Sequence, residues 1–435
     1  AERLEWHAAK FLIHIRETCK VSHTAIEHII DGIQSLLTEF SSGILEQVSR
    51  EVHPETGLIH FDVLQQMYKE TFPPSLLFSS VDSKHKLDKI LTQKFNMVIP
   101  EKTLVGTDLV WKCKHPTPGV PDLIEKEVYA YTVPFLSNLK NLLYNDEVRF
   151  CVDNPRLKEN NVYRTVLDGS SYQNNDFFRK NRNAIAIILF YDDLEVVNPL
   201  GANIKKHKLA MFYWTLANIY PEVRSTLKNV NLLSIVKHSV LKKYGVGKIL
   251  ESFITDIKVL QNEGVTVNVK GVEKVYKGSL LFVAGDTPAS AFMGGFKESV
   301  SAYRPCRTCM TTQNEWRNSF SSENFILREK ESHQEYVRVV TEPHLNKRTR
   351  AFWSRRYGVT NRSALMDIPE FDVTKCVPQD GMHVLAEGVV EVHCRAFLRY
   401  CIVEKRIFTI DDLNSKMRNF NFGHLKRDAP ASLLE

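Results

Sequence analysis

The spacing of apolar residues changes along the chain, from helical intervals near its start to continuous runs in the middle. Residues 3–50 carry apolar side chains at helical spacing in two successive stretches, so we predict a helical hairpin whose second helix begins near residues 22–24. Such a hairpin could serve core packing alone, or it could bind DNA or a second copy of the chain. Residues 122–144 are predicted to form another helix, which Pro134 ends or kinks.

A continuous apolar run at residues 184–191 is followed at once by Asp192, Asp193 and Glu195. An apolar run without alternation is typical of a strand that is covered on both faces. Acidic side chains at the end of such a strand lie where the sheet meets solvent, and there they could hold a cation. The alternative is that they are solvated turn residues, because the turn-forming residues 198–201 follow.

The elements predicted after this strand bring in a second acid. Apolar patterns indicate two further strands, a helix, a short strand and a second buried strand, at residues 209–219, 230–240, 247–262, 265–269 and 278–286. The last of these strands ends at Asp286, and a helix is predicted to start at the turn after it. Ribonuclease H-like nucleases share this order, with one carboxylate on the first strand and another at the end of the fourth. Their chemistry needs the acids together, because two divalent cations roughly 3.5–4 Å apart activate an attacking oxygen and neutralise a leaving one.

Composition places broad limits on the class of protein. At 435 residues the chain is long enough for two or three domains of roughly 100–200 residues each. Its formal net charge of +6 permits an anionic partner without requiring one. No apolar stretch reaches the roughly 18–20 residues of a membrane helix and no signal peptide opens the chain, so we expect a soluble intracellular protein. The eight cysteines are scattered, unlike the disulfide framework of a small secreted domain.

Five short motifs connect the chain with a known family. They are DDLEVVNPLG, DIKVLQNEGV, GDTPA, CRTC and DGMH, which begin at Asp192, Asp256, Gly285, Cys306 and Asp380. Their order and spacing resemble the transposases of CACTA-like (CMC, En/Spm) cut-and-paste DNA elements and their animal relatives. More distantly, the layout is similar to the Transib transposases and the catalytic subunit of the V(D)J recombinase. The resemblance runs from about residue 184 to the end of the sequence.

The resemblance implies an α/β fold with a ribonuclease H-like mixed-sheet nuclease core, a helical N-terminal region and a largely helical insertion. Residues 1–150 would be the mainly helical N-terminal region, 151–183 a polar and basic surface lead-in, 184–310 the first part of the catalytic core and 311–435 the insertion. The implied activity is that of a DNA transposase, with hydrolysis and strand transfer on Mg²⁺ or Mn²⁺. The alternative is a domesticated transposase that no longer catalyses and acts as a DNA- or chromatin-binding protein.

The resemblance also assigns the catalytic acids by position. Asp192 would be the first carboxylate and Asp286 the second, both binding the catalytic metal ions. Asp193 is the alternate for the first position, because strand register decides which of two adjacent side chains faces the metals. The third acid of the family lies on a late helix, in a segment that we do not find. We therefore expect the sequence to end before that helix, and the chain alone to be a poor catalyst.

A second candidate for the third acid lies within the sequence. Asp380, His383 and Glu387 have the spacing of one helix face, which would make Glu387 a metal ligand. In the simpler interpretation Asp380 caps that helix and His383 packs or forms hydrogen bonds near the active site or near the zinc.

Cys306 and Cys309 have zinc-knuckle spacing, with two residues between thiolates that could share one tetrahedral ion. Two buried cysteines without a metal are the alternative. The resemblance implies that histidines from a later segment, outside this sequence, complete a structural Zn²⁺ site. Four residues could substitute for them within the sequence: His333, His383, His393 and Cys394.

Two basic stretches supply the candidate contacts to double-stranded DNA. Their members are Lys205, Lys206, Lys208, Lys347, Arg348, Arg350, Arg355 and Arg356. The second stretch is punctuated by aromatic residues and could follow a phosphate backbone, although a solvated basic face or a nuclear-import signal would have the same composition. By resemblance, the protein acts in the nucleus as a homodimer or higher oligomer, because two transposon ends are cut together.

Overall fold

The computed structural model describes residues 2–51, 66, 78–79, 81–112, 122–156, 162–196, 207–319 and 321–423. Chain contacts divide the protein into two compact units, Ala1–Ile99 and Pro100–Glu435. Among the helices in these described ranges, none combines the length and the apolar character needed to cross a lipid bilayer.

The first unit contains the predicted helical hairpin, which is confirmed. Its helices are α1 (Glu2–Thr18), α2 (His23–Glu51) and α3 (Lys84–Phe95). Leu12 of α1, Ile26 of α2 and Leu87 of α3 are fully buried together, because each helix turns one apolar stripe inward. Whether this hairpin binds DNA or a second copy remains a prediction.

The second unit is built around a six-stranded mixed sheet in the order β1-β2-β5-β4-β3-β8. Strands β3 and β8 run parallel, whereas the other neighbours in the sheet are antiparallel. Two further strands, β6 and β7, form a separate hairpin. The strands are β1 (Glu101–Lys112), β2 (Asp122–Thr132), β3 (Ile185–Glu195), β4 (Lys208–Leu216), β5 (Asn231–Lys237), β6 (Val265–Val269), β7 (Val272–Tyr276) and β8 (Gly278–Ala284).

Helices cover this sheet and extend beyond it. They are α4 (Phe135–Leu143), α5 (Asp146–Asp153), α6 (Ser170–Gln173), α7 (Asp176–Lys180), α8 (Pro221–Arg224), α9 (His238–Tyr244), α10 (Val246–Ile249), α11 (Glu251–Asn262), α12 (Thr287–Gly294), α13 (Gln313–Asn318), α14 (Lys330–Thr341), α15 (Lys347–Tyr357), α16 (Val390–Arg399) and α17 (Ile410–Asn419). Two π-helical segments, Met382–Val389 and Tyr400–Glu404, flank α16. The overall class is therefore α/β with a mixed sheet.

Strand β3 is buried on both faces, as its continuous apolar run predicted. Ile187 and Leu189 pack into the larger core with α4 and α11, while Ala186 and Ile188 face a second, smaller core. The second core contains buried Tyr172 and Phe178, from residues 151–183. The prediction that this segment is only a surface lead-in is therefore wrong, because its aromatic side chains cover one face of the sheet although its overall composition is polar.

The predicted helix over residues 122–144 is also wrong in its first half. Residues Asp122–Thr132 form β2, which pairs antiparallel with β1, and only Phe135–Leu143 after Pro134 is helical. Val128 and Ala130 turn inward while Glu127 turns outward, so strand alternation rather than helical periodicity governs this stretch. The prediction of a mainly helical region 1–150 therefore needs correction, because the sheet begins at residue 101.

The predicted elements that follow β3 are confirmed with shifted ends. The third strand stops at Lys237, where α9 begins, and the predicted helix over 247–262 is divided into α10 and α11. Gly264 lies just beyond α11 with φ +82°, in the left-handed region that glycine adopts without strain. Asp286 directly precedes α12, so the acid lies between a strand and a helix as predicted.

Candidate functional site

Two acidic residues lie towards the same end of the sheet because β3 and β8 run parallel. Phe190 of β3 pairs with Ala284 of β8, and each strand reaches its acid two residues later, at Asp192 and Asp286. Both acids line one cleft of about 430 Å³, and residues 378–383 line the same cleft. We call it the carboxylate cleft. Topology thus brings together acids that are far apart in sequence.

Asp286 is oriented by the helix that it starts. Its Oδ1 accepts a hydrogen bond from the backbone N–H of Ala289 at 2.7 Å, so the side chain caps α12. Gly285 allows β8 to approach β3 closely, because a Cβ atom there would lie 2.9 Å from the carbonyl oxygen of Tyr191. The cap uses one carboxylate oxygen, and within the described ranges Oδ2 has no hydrogen-bond partner. Asp286 can therefore offer Oδ2 to a ligand in the cleft.

Asp192 and Asp193 have different environments because successive strand residues point to opposite faces. Asp192 is exposed and lines the carboxylate cleft. The half-buried carboxylate of Asp193 instead contacts Nδ1 of His238 at 2.8 Å, accepts from the hydroxyl of Tyr191 at 3.0 Å and pairs with Nζ of Lys208 at 3.0 Å. Asp193 therefore serves an internal network, and Asp192 is the residue available to a cation.

We expect Asp193→Asn to lower stability by about 1 kcal/mol at neutral pH, since it removes a charge that holds three partners. Burial would raise the pKa of Asp193, but hydrogen bonds from His238, Lys208 and Tyr191 outweigh it and hold that pKa below its usual value. The stabilisation is therefore present above the unfolded-state pKa of about 3.9 and is lost as pH falls through the lower folded-state value.

Urea denaturation at neutral pH and below about pH 4 measures this effect. Glu195→Gln, at the exposed end of the same strand, is the charge-matched control. The free energy of unfolding of Asp193→Asn should fall less on acidification than that of the wild type. The free energy of unfolding of Glu195→Gln should fall as much as that of the wild type. Identical pH profiles for the two variants would contradict a stabilising role for the Asp193 network.

Asp380 and His383 form a pair on the segment 378–383 of the cleft. Oδ1 of Asp380 accepts hydrogen bonds from the backbone N–H of Met382 at 3.0 Å and of His383 at 3.4 Å, so it caps the helical segment as the simpler interpretation predicted. Its Oδ2 contacts Nδ1 of His383. This contact raises the pKa of His383, and the negative charges of Glu387 and Asp286 act in the same direction. His383 is therefore a cation over a wider pH range than a free histidine.

Glu387 does not line the carboxylate cleft. Its side chain is 62% exposed, and its carboxylate lies 3.9 Å from Nε2 of His383. The segment Met382–Val389 is a π-helix, and Asp380, His383 and Glu387 still lie next to one another along one face, as their spacing predicted. The structure thus associates Glu387 with His383 and not with Asp192 and Asp286.

The donor set of the cleft suits a hard divalent cation in part. Asp192 and Asp286 supply carboxylate oxygens, the ligand type that Mg²⁺ and Mn²⁺ prefer, at a solvent-accessible position. Within the described residues, however, no group of three or more His, Cys, Asp or Glu side chains has metal-binding geometry. Two acids can begin a cation site here, and further ligands would have to come from water, substrate or other protein groups.

Cys306 and Cys309 occupy a loop between α12 and α13, which we call the cysteine loop. Sγ of Cys306 accepts backbone hydrogen bonds from Thr308 and Cys309, both at 3.3 Å. The Cys309 side chain lowers the pKa of Cys306 to about 5, with burial acting against this shift. The paired thiols and the backbone donors to sulfur fit one half of a tetrahedral zinc site.

The four candidate substitutes for the missing zinc ligands do not complete the site in the part of the chain that is described. His333 is buried in α14, where both ring nitrogens lack hydrogen-bond partners among the described groups and burial lowers its pKa to about 4. His383 is bound to Asp380, and His393 and Cys394 lie exposed on α16. The zinc site remains a prediction, with half of its ligands supplied.

The basic residues predicted to contact DNA have different surroundings. Lys205 and Lys206 lie outside the described residues, and Lys208 forms an ion pair with Asp193. The other five are exposed on α15, which has no acidic residue in its sequence: Lys347, Arg348, Arg350, Arg355 and Arg356. Helix α15 therefore presents exposed basic side chains, whereas Lys208 is paired with an acid.

No protein-family model matches the chain, and no curated protein matches it.

Two residues near the acids were not singled out from the sequence: His238, which binds Asp193, and Arg307, which lies inside the CRTC motif. The position of Arg307 within the CRTC motif could have marked it as a candidate site residue. Its nearly complete burial, however, is produced by the tertiary fold and is not visible in the sequence.

Proposed function

We propose that the protein is a DNA transposase, or a protein derived from one, with a ribonuclease H-like core and DDE-type chemistry. The observation that carries this proposal is the shared carboxylate cleft of Asp192 and Asp286, created by the parallel pairing of β3 and β8. The sheet supports it further, because the successive antiparallel strands β3, β4 and β5 are followed, after three helices and the β6–β7 hairpin, by β8, which runs parallel to β3. This arrangement agrees with the order expected for ribonuclease H-like nucleases.

The chemistry would be divided among the residues of the cleft. Asp192 and Asp286 would hold Mg²⁺ or Mn²⁺, which when bound activates an attacking oxygen and neutralises a leaving one. Asp380 would orient the imidazole of His383 through Nδ1 and stabilise its protonated form. The protonated imidazole would contact a DNA phosphate. Asp192 and Asp286 are two of the three acids that the resemblance implies, so binding of the cation is a more direct measure of the site than turnover.

Helix α15 supports the second candidate function, a domesticated transposase that binds DNA or chromatin without cleaving it. Five exposed cations on a helix of eleven residues with no acidic side chain can follow a phosphate backbone. This function does not need complete metal coordination. The nuclear location, the oligomeric state and the structural zinc of the resemblance belong to either proposal.

The test is cleavage of duplex DNA by the full chain with Mg²⁺ or Mn²⁺. Loss of cleavage in Asp192→Asn and Asp286→Asn, with retention in Glu195→Gln, supports the catalytic proposal. Equal cleavage by all variants overturns the site assignment. DNA binding by a wild type that neither cleaves DNA nor binds Mn²⁺ at the cleft favours the domesticated alternative, and no DNA binding overturns both.

We expect His383→Gln to remove a pH-dependent part of DNA binding. Because Asp380 raises the pKa of His383, its positive charge persists above the usual value of about 6.5 and is lost as pH rises through the folded-state pKa. In the wild type, the slope of log affinity against log salt should fall by about one between about pH 6 and about pH 9, since one phosphate contact is lost.

Fluorescence anisotropy with a labelled duplex at several salt concentrations measures this slope. His393→Gln, an exposed histidine on α16, is the matched control and should keep the wild-type pH dependence. A His383→Gln slope that changes with pH as in the wild type would contradict a phosphate contact at His383.

A further inference from the structure

Four consecutive residues before Asp380 are each bound to a neighbouring element through main-chain or side-chain hydrogen bonds. The carbonyl oxygen of Cys376 accepts from the backbone N–H of Val283 in β8 at 2.9 Å. The next three residues are bound to the cysteine loop. The segment Cys376–Gln379 therefore lies between the strand that leads to Asp286 and the loop that carries Cys306 and Cys309.

Arg307 makes two of these bonds. Its Nε donates to the carbonyl oxygen of Val377 at 3.1 Å, and its Nη2 donates to that of Pro378 at 2.6 Å. Beside them, Nε2 of Gln379 donates to Oγ1 of Thr308 at 3.0 Å. The planar guanidinium can reach two successive carbonyls with fixed geometry, which a single ammonium group cannot do.

Arg307 is only 3% exposed, which is unusual for an arginine. Burial lowers its pKa, whereas the negative charges of Cys306, Asp380 and Asp286 oppose that shift. A buried cation is retained at low cost only where dipoles and anions compensate it. Here the two carbonyls provide the dipoles, and the acids of the cleft lie within electrostatic reach.

We propose that Arg307 is a positioning residue that ties the cysteine loop to the segment Cys376–Gln379 and so sets the spacing of Asp380 and Asp286 across the carboxylate cleft. The consequence for cation binding rests on the proposed function of that cleft; the positioning itself does not. Arg307 contacts the backbone before Asp380 and not the substrate. A structural change in the cysteine loop would therefore alter the spacing of Asp380 and Asp286. By thermodynamic linkage, a cation bound in the carboxylate cleft would in turn order the loop.

The test compares Arg307→Lys with Arg304→Lys in the full chain. Arg304 lies in the same loop and also donates to a main-chain carbonyl, that of Arg356 at 2.8 Å, but its partner is on α15 and not on the segment before Asp380. Lysine keeps the charge in both variants and removes the two-carbonyl geometry only at position 307. Gln379→Ala, at an exposed residue, is a milder variant that weakens the same attachment.

Two readouts are measured. Hydrogen exchange followed by mass spectrometry reports the amides of Met382, His383 and Val384, which are bonded to Asp380. Electron paramagnetic resonance of free Mn²⁺ reports cation affinity. Arg307→Lys should raise the exchange rate of these amides by about tenfold and weaken Mn²⁺ binding by about threefold to tenfold. Gln379→Ala should give smaller changes in both quantities. Arg304→Lys should match the wild type.

Unchanged exchange in both Arg307→Lys and Gln379→Ala overturns the positioning role. Raised exchange with unchanged Mn²⁺ affinity overturns the link to the acids. Failure of the wild type to bind Mn²⁺ overturns the proposed cation site, and exchange then decides the positioning role alone. If Arg307→Lys does not fold, the Gln379→Ala result decides by the same criteria.

Discussion

Asp286→Asn and Asp192→Asn are each expected to weaken Mn²⁺ binding to the carboxylate cleft by about tenfold or more, because each removes a charged oxygen ligand from a site that has few. The effect should be larger for Asp286, whose orientation is fixed by its cap on α12. The double variant should bind no Mn²⁺ at the cleft. Electron paramagnetic resonance of free Mn²⁺ measures all three affinities.

Two neighbouring acids of β3 provide the controls for this experiment. Glu195→Gln removes the same unit of charge from the exposed end of the strand. Asp193→Asn removes it from the network with His238 and Lys208. Both should keep Mn²⁺ affinity within about twofold of the wild type, since neither carboxylate lines the cleft and charge effects beyond direct contact are weakened by salt. A loss equal to that of Asp192→Asn in both controls would show a general charge effect and contradict a specific site.

Phe135→Ala is expected to destabilise the second unit by about 3–5 kcal/mol. Phe135 is 1% exposed and packs edge-on against Trp214 of β4 and Phe253 of α11, with ring centroids 5.0 Å apart in both pairs. Its removal leaves a cavity where a helix, the sheet and a second helix meet, and the surrounding rings can refill it only in part.

Urea denaturation followed by circular dichroism measures this change. Phe150→Ala is the control, since Phe150 is 58% exposed on α5, and it should cost less than about 1 kcal/mol. Because the protein has two compact units, hydrogen exchange of the amides of β3 and β4 identifies the transition of the second unit. Equal unfolding midpoints for the two variants would contradict the packing role of Phe135.

Continuous apolar runs were the most informative part of the sequence for the fold. They predicted β3 and β8, because a strand buried on both faces needs apolar side chains at every position. They failed at β2, where Glu125, Glu127 and Tyr131 make the outer face polar or amphipathic and leave a pattern that also resembles a helix. The pairing of β2 with β1 decides that segment, and pairing between strands is not visible in local composition.

The candidate site was predictable in Asp192 and Asp286 and in the helix cap that Asp380 forms beside His383. The order of strands indicated that Asp192 and Asp286 would meet, but the choice between Asp192 and Asp193 depended on which of them finds partners in the fold. The position of Asp380 at the cleft could not be derived from spacing, because residues Cys376–Gln379 reach the cleft through bonds to β8 and to the cysteine loop. Burial of Arg307 likewise depends on contacts with residues distant in sequence.

The parallel pairing of β3 with β8 also has a consequence for biosynthesis. On the ribosome, Asp192 emerges long before its neighbour in the cleft, because β4, β5, α11 and the β6–β7 hairpin must be made before β8 can pair with β3. The segment that ends at Asp380 follows later still. The N-terminal unit can fold while this happens, since domains generally fold as units from the N-terminal end. A nascent chain released before Asp380 would therefore carry the acids of the sheet without a finished cleft.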